Sequence, residues 1–135
     1  MLKKTIKYVD YNSVEHTDDF YFNLSKAEIA EMELSVKGGF SASIQKAVDE
    51  KDNAKILEIF KDLLLRSYGV KSEDGKRFIK SKEMRDEFEQ SEAYSNLFID
   101  LVTNEEASSE FLKAIIPSSL AESINKQVTE SNKKD

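Results

Sequence analysis

Residues 52–69 read DNAKILEIFKDLLLRSYG. Ile56, Leu57, Phe60, Leu63, Leu64 and Tyr68 recur at intervals of three and four, which predicts a helix with one broad apolar face. Asp52–Asn53 offers the side-chain oxygen that a helix start needs, and Gly69 lets the backbone leave the helix. A face that wide is stable only when other elements cover it, so the flanking sequence must supply the cover.

Downstream, Arg66–Lys82 (RSYGVKSEDGKRFIKSK) sets six basic side chains against Glu73 and Asp74, inside a chain of formal net charge −6. The stretch reads as a charged connector with a β-turn at Ser72–Glu73–Asp74–Gly75. Tyr68 and Phe78 interleave with its cations, the mixture of apolar anchors and charges that marks binding hot spots. A passive connector and a partner-contacting surface are both compatible with this pattern. The candidate partner-binding residues are Arg66, Tyr68, Lys71, Lys76, Arg77, Phe78 and Lys80. The next stretch, Glu83–Glu110, reverses sign, with nine acids and a single base, Arg85. Within it Met84, Phe88, Tyr94, Leu97, Phe98 and Leu101 predict helix from about 82 to 102. Ser91 can cap a second segment, so one helix and two both fit. Phe111, Leu112, Ile115 and Ile116 mark a further helix closed by Pro117. Residues 118–135 thin to Leu120, Ile124 and Val128 and read as a tail, partly helical or disordered.

Upstream, Leu24–Ser25–Lys26–Ala27–Glu28–Ile29 places Ser and Glu three apart as a reciprocal capping box, with Leu24 and Ile29 as a hydrophobic staple. That helix runs through Met32 and stops near Lys37, before Gly38–Gly39. Phe40, Ile44, Ala47 and Val48 then mark a short amphipathic helix. The first residues look different. Thr5–Val9 and Asp18–Phe22 are short β-prone runs separated by the polar Asp10–Thr17, which predicts a hairpin with a long loop. A hairpin is marginal alone, so it packs on the helices, and its edge is a place where another strand could add. The resulting class is α+β: a small N-terminal β-hairpin element (1–23) on a mostly α-helical body (24–117), together one domain over 1–117.

Composition narrows the function. At 135 residues the chain is one domain in size; 39% hydrophobic and 34% charged residues predict a modest core under a heavily solvated surface. Eight Phe and five Tyr supply aromatic area that a disordered chain lacks. The overall acidity argues against sequence-independent nucleic-acid binding, which needs a dominant basic field. The absence of cysteine removes disulfides and thiolate metal sites. Neither a signal peptide nor a membrane-spanning run is visible.

Nothing assembles into a reaction centre. The lone His16 falls in the predicted loop beside Asp18 and Asp19, without a nucleophile, and reads as an exposed loop residue. Glu28/Glu31 has the spacing of a metal-binding pair but no histidines to complete it, so a solvated helix face explains it. Gly38–Gly39 lacks the spacing of a phosphate loop, and no GxSxG or SxxK context appears. No catalytic, cofactor-binding or metal residues are expected. The alternative function is a small regulatory nucleic-acid-binding protein acting through 66–82.

The runs ILEIFKDLLLRSYGVKSEDGKRFIKS (Ile56–Ser81), SEAYSNLFIDLVTNEEASSEFLKAIIP (Ser91–Pro117) and FxLSKAEIAEME (Phe22–Glu33) together resemble the tail assembly chaperones of long, flexible-tailed phages of Gram-positive bacteria. The resemblance covers roughly residues 21–117. It implies a non-enzymatic protein of the host cytoplasm, absent from the mature virion, that binds the tape measure protein and keeps it soluble while the tail tube assembles. It further implies contacts with a frameshift-extended form of the same protein, with the tail tube protein and in a homo-oligomer, and none with nucleic acid or membrane. Lys133–Lys134 near the end of the chain fits a slippery coding sequence. The helix faces led by Phe60/Leu64 and Phe98/Leu101 could line a groove for a helical partner, but a domain this small needs them first for its own core.

Overall fold

The computed structural model describes residues 1–115, which form four strands and six helices. The strands are β1 (Leu2–Val9), β2 (Glu15–Phe22), β3 (Tyr68–Lys71) and β4 (Phe78–Ile79). The helices are α1 (Lys26–Ser35), α2 (Phe40–Asp49), α3 (Asn53–Ser67), α4 (Lys82–Glu89), α5 (Glu92–Thr103) and α6 (Glu105–Ile115). The α+β expectation, with the strands starting at the N-terminus, holds. The readings made of Ile116, Pro117 and the tail 118–135 lie outside the described residues.

The N-terminal hairpin is longer than its β-prone runs suggest, with Leu2 opposite Phe22 and Val9 opposite Glu15. Its loop is correspondingly short. One Asp10 carboxylate oxygen accepts from the backbone N–H groups of Asn12 and Val14, and the other lies 2.6 Å from His16 Nε2. Ser13 takes a positive φ of 64° to complete the turn. His16 is therefore not a loop residue. It sits in β2, half-buried, stacked on Tyr8 with ring centroids 5.1 Å apart. Its carboxylate partner is Asp10 rather than Asp18 or Asp19, and that pairing across the turn could be inferred only once the register was known.

The larger correction concerns Arg66–Lys82. It is a second hairpin rather than a connector. The expected turn is present, with Gly75 N–H donating to Ser72 O at 2.9 Å and Gly75 at φ 73°. Its two flanks, however, are strands that extend the sheet in the order β1-β2-β3-β4, all antiparallel. Tyr68 pairs with Phe22 and Gly69 with Tyr21, while Asn23 N–H donates to Ser67 O at 2.7 Å where α3 hands over to β3. The helix thus ends at Ser67, and Tyr68 is a strand residue whose ring stacks on Phe88 at 4.3 Å. Pairing partners some 45 residues away in sequence decided this segment, and local composition does not report them. Gly69 is needed for proximity. A Cβ there would lie 2.7 Å from the Phe78 ring and 2.9 Å from Ile79 O.

The helical signals mostly translate directly. Ser25 and Glu28 exchange both hydrogen bonds of the capping box, and Asp52 caps α3 through Lys55 N–H. The 82–102 region is two helices. Ser81 caps α4, and Ser91 caps α5 by accepting from Tyr94 N–H. Ile56, Phe60, Leu63 and Leu64 of α3 are fully buried. They meet Phe22 of the sheet, Leu101 of α5 and Phe111 of α6 in one core. Phe111 bridges Phe22 (5.4 Å, edge-on) and Phe60 (6.4 Å). Phe60, Leu64 and Leu101 are thus spent on the fold, and Phe98 packs against the same cluster. The opposite sheet face is polar: Lys3, Thr5 and Lys7 alternate outward from β1, and Thr5 Oγ1 donates to Asp19 Oδ1 at 2.6 Å.

Candidate functional site

Helix α1 is the least embedded helix of the body. Met32 is its only fully buried side chain, whereas Leu34 is 85% exposed. Its sequence explains this, because Ala, Glu and apolar residues are spread around the helix instead of gathered on one stripe. Met32 and Ile29 anchor it to the core, and polar contacts fix its two ends. The capping box fixes its start; Lys80 Nζ donates to both Glu28 Oε2 and Asn23 O at 2.7 Å. Near its end, Glu33 Oε2 accepts from Ser41 N–H at 2.8 Å and Ser41 Oγ at 2.7 Å.

Between α1 and the helices beside it lies a cavity of about 500 Å³. Leu24 and Met32 give it apolar surface; Glu28, Glu31 and Ser35 line it from α1, Arg66 from α3, Lys80 from the chain after β4, and Arg85 from α4. A smaller cavity of about 90 Å³, bounded also by Val36, Phe40 and Asp62, shares Met32, Ser35 and Arg66 with it. The two run on as one groove along α1, with apolar residues at Leu24, Met32, Val36 and Phe40 and charges on both walls.

The charges are unevenly committed. Burial would raise the Glu28 carboxyl, but hydrogen bonds from Lys80 and from Ser25 outweigh it and hold that carboxyl below its usual range. Arg66 is held through Nε to Asp62 at 2.8 Å. Arg85 is half-buried, and its guanidinium makes no ion pair or hydrogen bond to any described residue.

The seven residues singled out from sequence do not form one surface. Arg66 and Lys80 reach the groove. Tyr68 belongs to the aromatic stack with Phe88, and burial first, then the charge of Glu87, raises its hydroxyl pKa. Lys71 and Phe78 lie on the outer sheet face: Lys71 Nζ stands 5.7 Å from the Tyr21 ring centroid, and Phe78 covers Gly69. Lys76 and Arg77 are exposed on the turn. Sequence reasoning missed Leu24, Glu28, Met32 and Arg85 as groove residues. The available signal was Arg85 itself, the one base among nine acids.

A separate cavity of about 450 Å³ beside the N-terminal hairpin is lined by Tyr8, His16, Asn96 and their strand neighbours. Asp18 accepts a 2.6 Å hydrogen bond from Tyr8, and this bond is the main cause that pushes the tyrosine pKa up to about 12. Asn96 donates to Lys7 O at 3.1 Å, so α5 guards part of the sheet edge. Among the described residues, no group of three or more His, Cys, Asp or Glu side chains is placed to hold a metal. No described helix is long and apolar enough to cross a membrane.

Comparison with known families gives one result. A family model described as phage tail assembly chaperone matches residues 1–135. No curated protein and no solved structure matches the chain.

Proposed function

The chain belongs to the phage tail assembly chaperone family, and from that premise we propose that it binds the tape measure protein and keeps it soluble while tail tube subunits polymerise. The observation that carries this reading is the groove along α1. A chaperone for a long helical polypeptide needs apolar surface that the fold has not consumed, bordered by charges that orient the guest and keep the complex soluble. Phe60, Leu64 and Leu101 do not offer that surface because the core uses them. Val36, 36% exposed, and the partly buried Phe40 do offer it, at the end of a groove whose Leu24 and Met32 belong to the core.

In this reading the protein acts by binding alone, in the cytoplasm of a host of a long-tailed phage, and is left out of the finished virion. A frameshift-extended form of the chain would share the groove and add contacts of its own, for example to the tail tube protein. Assembly of several copies along one tape measure chain fits a small holdase with a very long guest.

Co-expression of the full chain with fragments of the tape measure protein tests the proposal. Soluble fragment that co-elutes with the chaperone on size exclusion is the expected result, and Val36→Asp, at an exposed groove position, should abolish co-elution while the melting temperature stays the same. A fragment that stays insoluble, with no complex, overturns it.

A further inference from the structure

Strand β1 lies at one end of the sheet, and its outer edge is open. Asp10 N–H donates to Val14 O at 2.9 Å, which sets the phase of the hairpin: the even-numbered residues of β1 exchange hydrogen bonds with β2. The backbone N–H and C=O groups of Lys3, Thr5, Lys7 and Val9 therefore point away from the sheet. Among the described residues, one side chain answers them: Asn96 Nδ2 donates to Lys7 O at 3.1 Å. No described strand pairs on that side, and β1 contains no proline or glycine to interrupt a ladder. Such a row of unpaired backbone groups is a template for an added strand.

The flanks of the edge define what can add to it. On the solvent face Lys3 and Lys7 stand exposed on either side of Thr5, whose hydroxyl is held by Asp19. A second copy adding antiparallel through its own β1, centred on Thr5, would set Lys3 of each copy against Lys7 of the other. Like charges directly opposite are destabilising, whereas acids at alternate positions of an incoming strand are favoured. On the core face lies α5. Glu92 in its first turn hydrogen-bonds Tyr11 at the hairpin tip, and Asn96 one turn later reaches Lys7 O. The helix thus runs back along β1. Ile99, three residues after Asn96, is carried about 4.5 Å further, a little more than one strand residue, toward Thr5. It is 56% exposed, an apolar surface left open beside the edge.

We infer that the β1 edge is a second interaction surface, apart from the α1 groove, which takes an extended segment of a partner protein as a further strand of the sheet. That segment alternates acidic and apolar residues. Its acids lie against Lys3 and Lys7 on the solvent face, and an apolar side chain between them turns to the other face and covers Ile99. Its backbone takes the hydrogen bonds that Lys3, Thr5 and Lys7 offer, with Asn96 released from Lys7 O. The inference does not depend on the groove, whose proposed guest is helical, and it leaves both sites free to be occupied together.

A capped peptide of alternating Glu and Val residues is the probe, and one of alternating Lys and Val is its comparison. Fluorescence anisotropy with the full chain should show the Glu peptide binding about tenfold or more tightly, the sum of charge pairs gained and repulsions avoided. Hydrogen exchange at the Lys3 and Thr5 amides should slow when it binds. The double variant Lys3→Glu/Lys7→Glu should reverse the preference, and Ile99→Ser should weaken the Glu peptide about fivefold. Thr5→Pro removes only an outward N–H, so it should abolish binding while the Ile6 and Tyr8 amides stay protected by β2. Val36→Asp, which alters the groove, should leave peptide binding unchanged. Equal binding of the two peptides, no binding of either, or protection confined to residues outside β1 overturns the inference. So does a concentration-dependent dimer of the wild-type chain that Thr5→Pro dissolves, because the edge would then belong to a second copy.

Discussion

Lys80 Nζ lies 2.7 Å from Glu28 Oε2, joining the end of the second hairpin to the first turn of α1 across 52 residues of sequence. The same ammonium donates to Asn23 O, so one side chain closes the corner where the sheet, α1 and the groove meet. Lys80→Met should cost about 1 kcal/mol, the modest value of a charged hydrogen bond that solvent partly screens. Its larger effect should be faster hydrogen exchange in α1 than in α3. Lys80 is therefore a poor probe of partner binding, because its replacement disturbs the wall of the groove as well as its charge.

The depressed Glu28 pKa gives a pH dependence with a definite sign. Its hydrogen bonds hold the carboxyl below the ordinary value of 4.5 in the folded chain. That contribution is fully present above the unfolded value and disappears as pH falls through the folded one. Stability should therefore drop as pH is lowered below about 4.5, and Glu28→Gln should flatten that part of the profile in chemical denaturation. A Glu28→Gln profile identical to wild type would show that other carboxyls carry the acid sensitivity.

Gly69→Ala should destabilise the fold by about 1–3 kcal/mol, the usual cost of overpacking. The added Cβ would meet Ile79 O, a backbone atom that cannot swing aside, as well as the Phe78 ring. Phe78→Ala removes the ring but not the carbonyl, so combining the two substitutions should recover only part of the loss. Urea melts of the single and double variants measure this.

Ser108 is fully buried in α6, and its hydroxyl has no hydrogen-bond partner among the described residues. An unmet buried hydroxyl is costly, so Ser108→Ala should leave stability unchanged or raise it by about 1 kcal/mol. Phe60→Ala, by contrast, should cost about 3–5 kcal/mol because it empties the centre of the core. Thermal melts that reverse this ranking would refute a core centred on Phe60.

The turn cations separate two kinds of contact. Lys76 and Arg77 are exposed beyond the sheet, so reversing both charges should leave the melting temperature unchanged. If they steer a guest toward the protein, the double variant should slow association and weaken its salt dependence without changing dissociation. Stopped-flow binding to a tape measure fragment distinguishes this from a role in the bound complex, which would appear in the dissociation rate.

Sequence by itself determined the local elements. Ser25–Glu28, Asp52 and Ser91 start their helices because a capping side chain needs only its own next three residues. The apolar spacing of Ile56, Phe60, Leu63 and Leu64 likewise named most of the α3 core face, since a helix repeats whatever surrounds it. Tertiary structure decided what depends on distant partners. Tyr68–Lys71 became a strand because Tyr21 and Phe22 present an edge to it, and His16 entered a strand because the Asp10 turn is tight. The groove belongs to the same category. Arg66, Lys80 and Arg85 sit on three separate segments, and only the pairing of the second hairpin with the first brings them against α1. Charge along the chain could mark 66–82 as unusual. Which of its charges line the groove, and that Arg85 outside it joins them, followed from where the folded backbone put them.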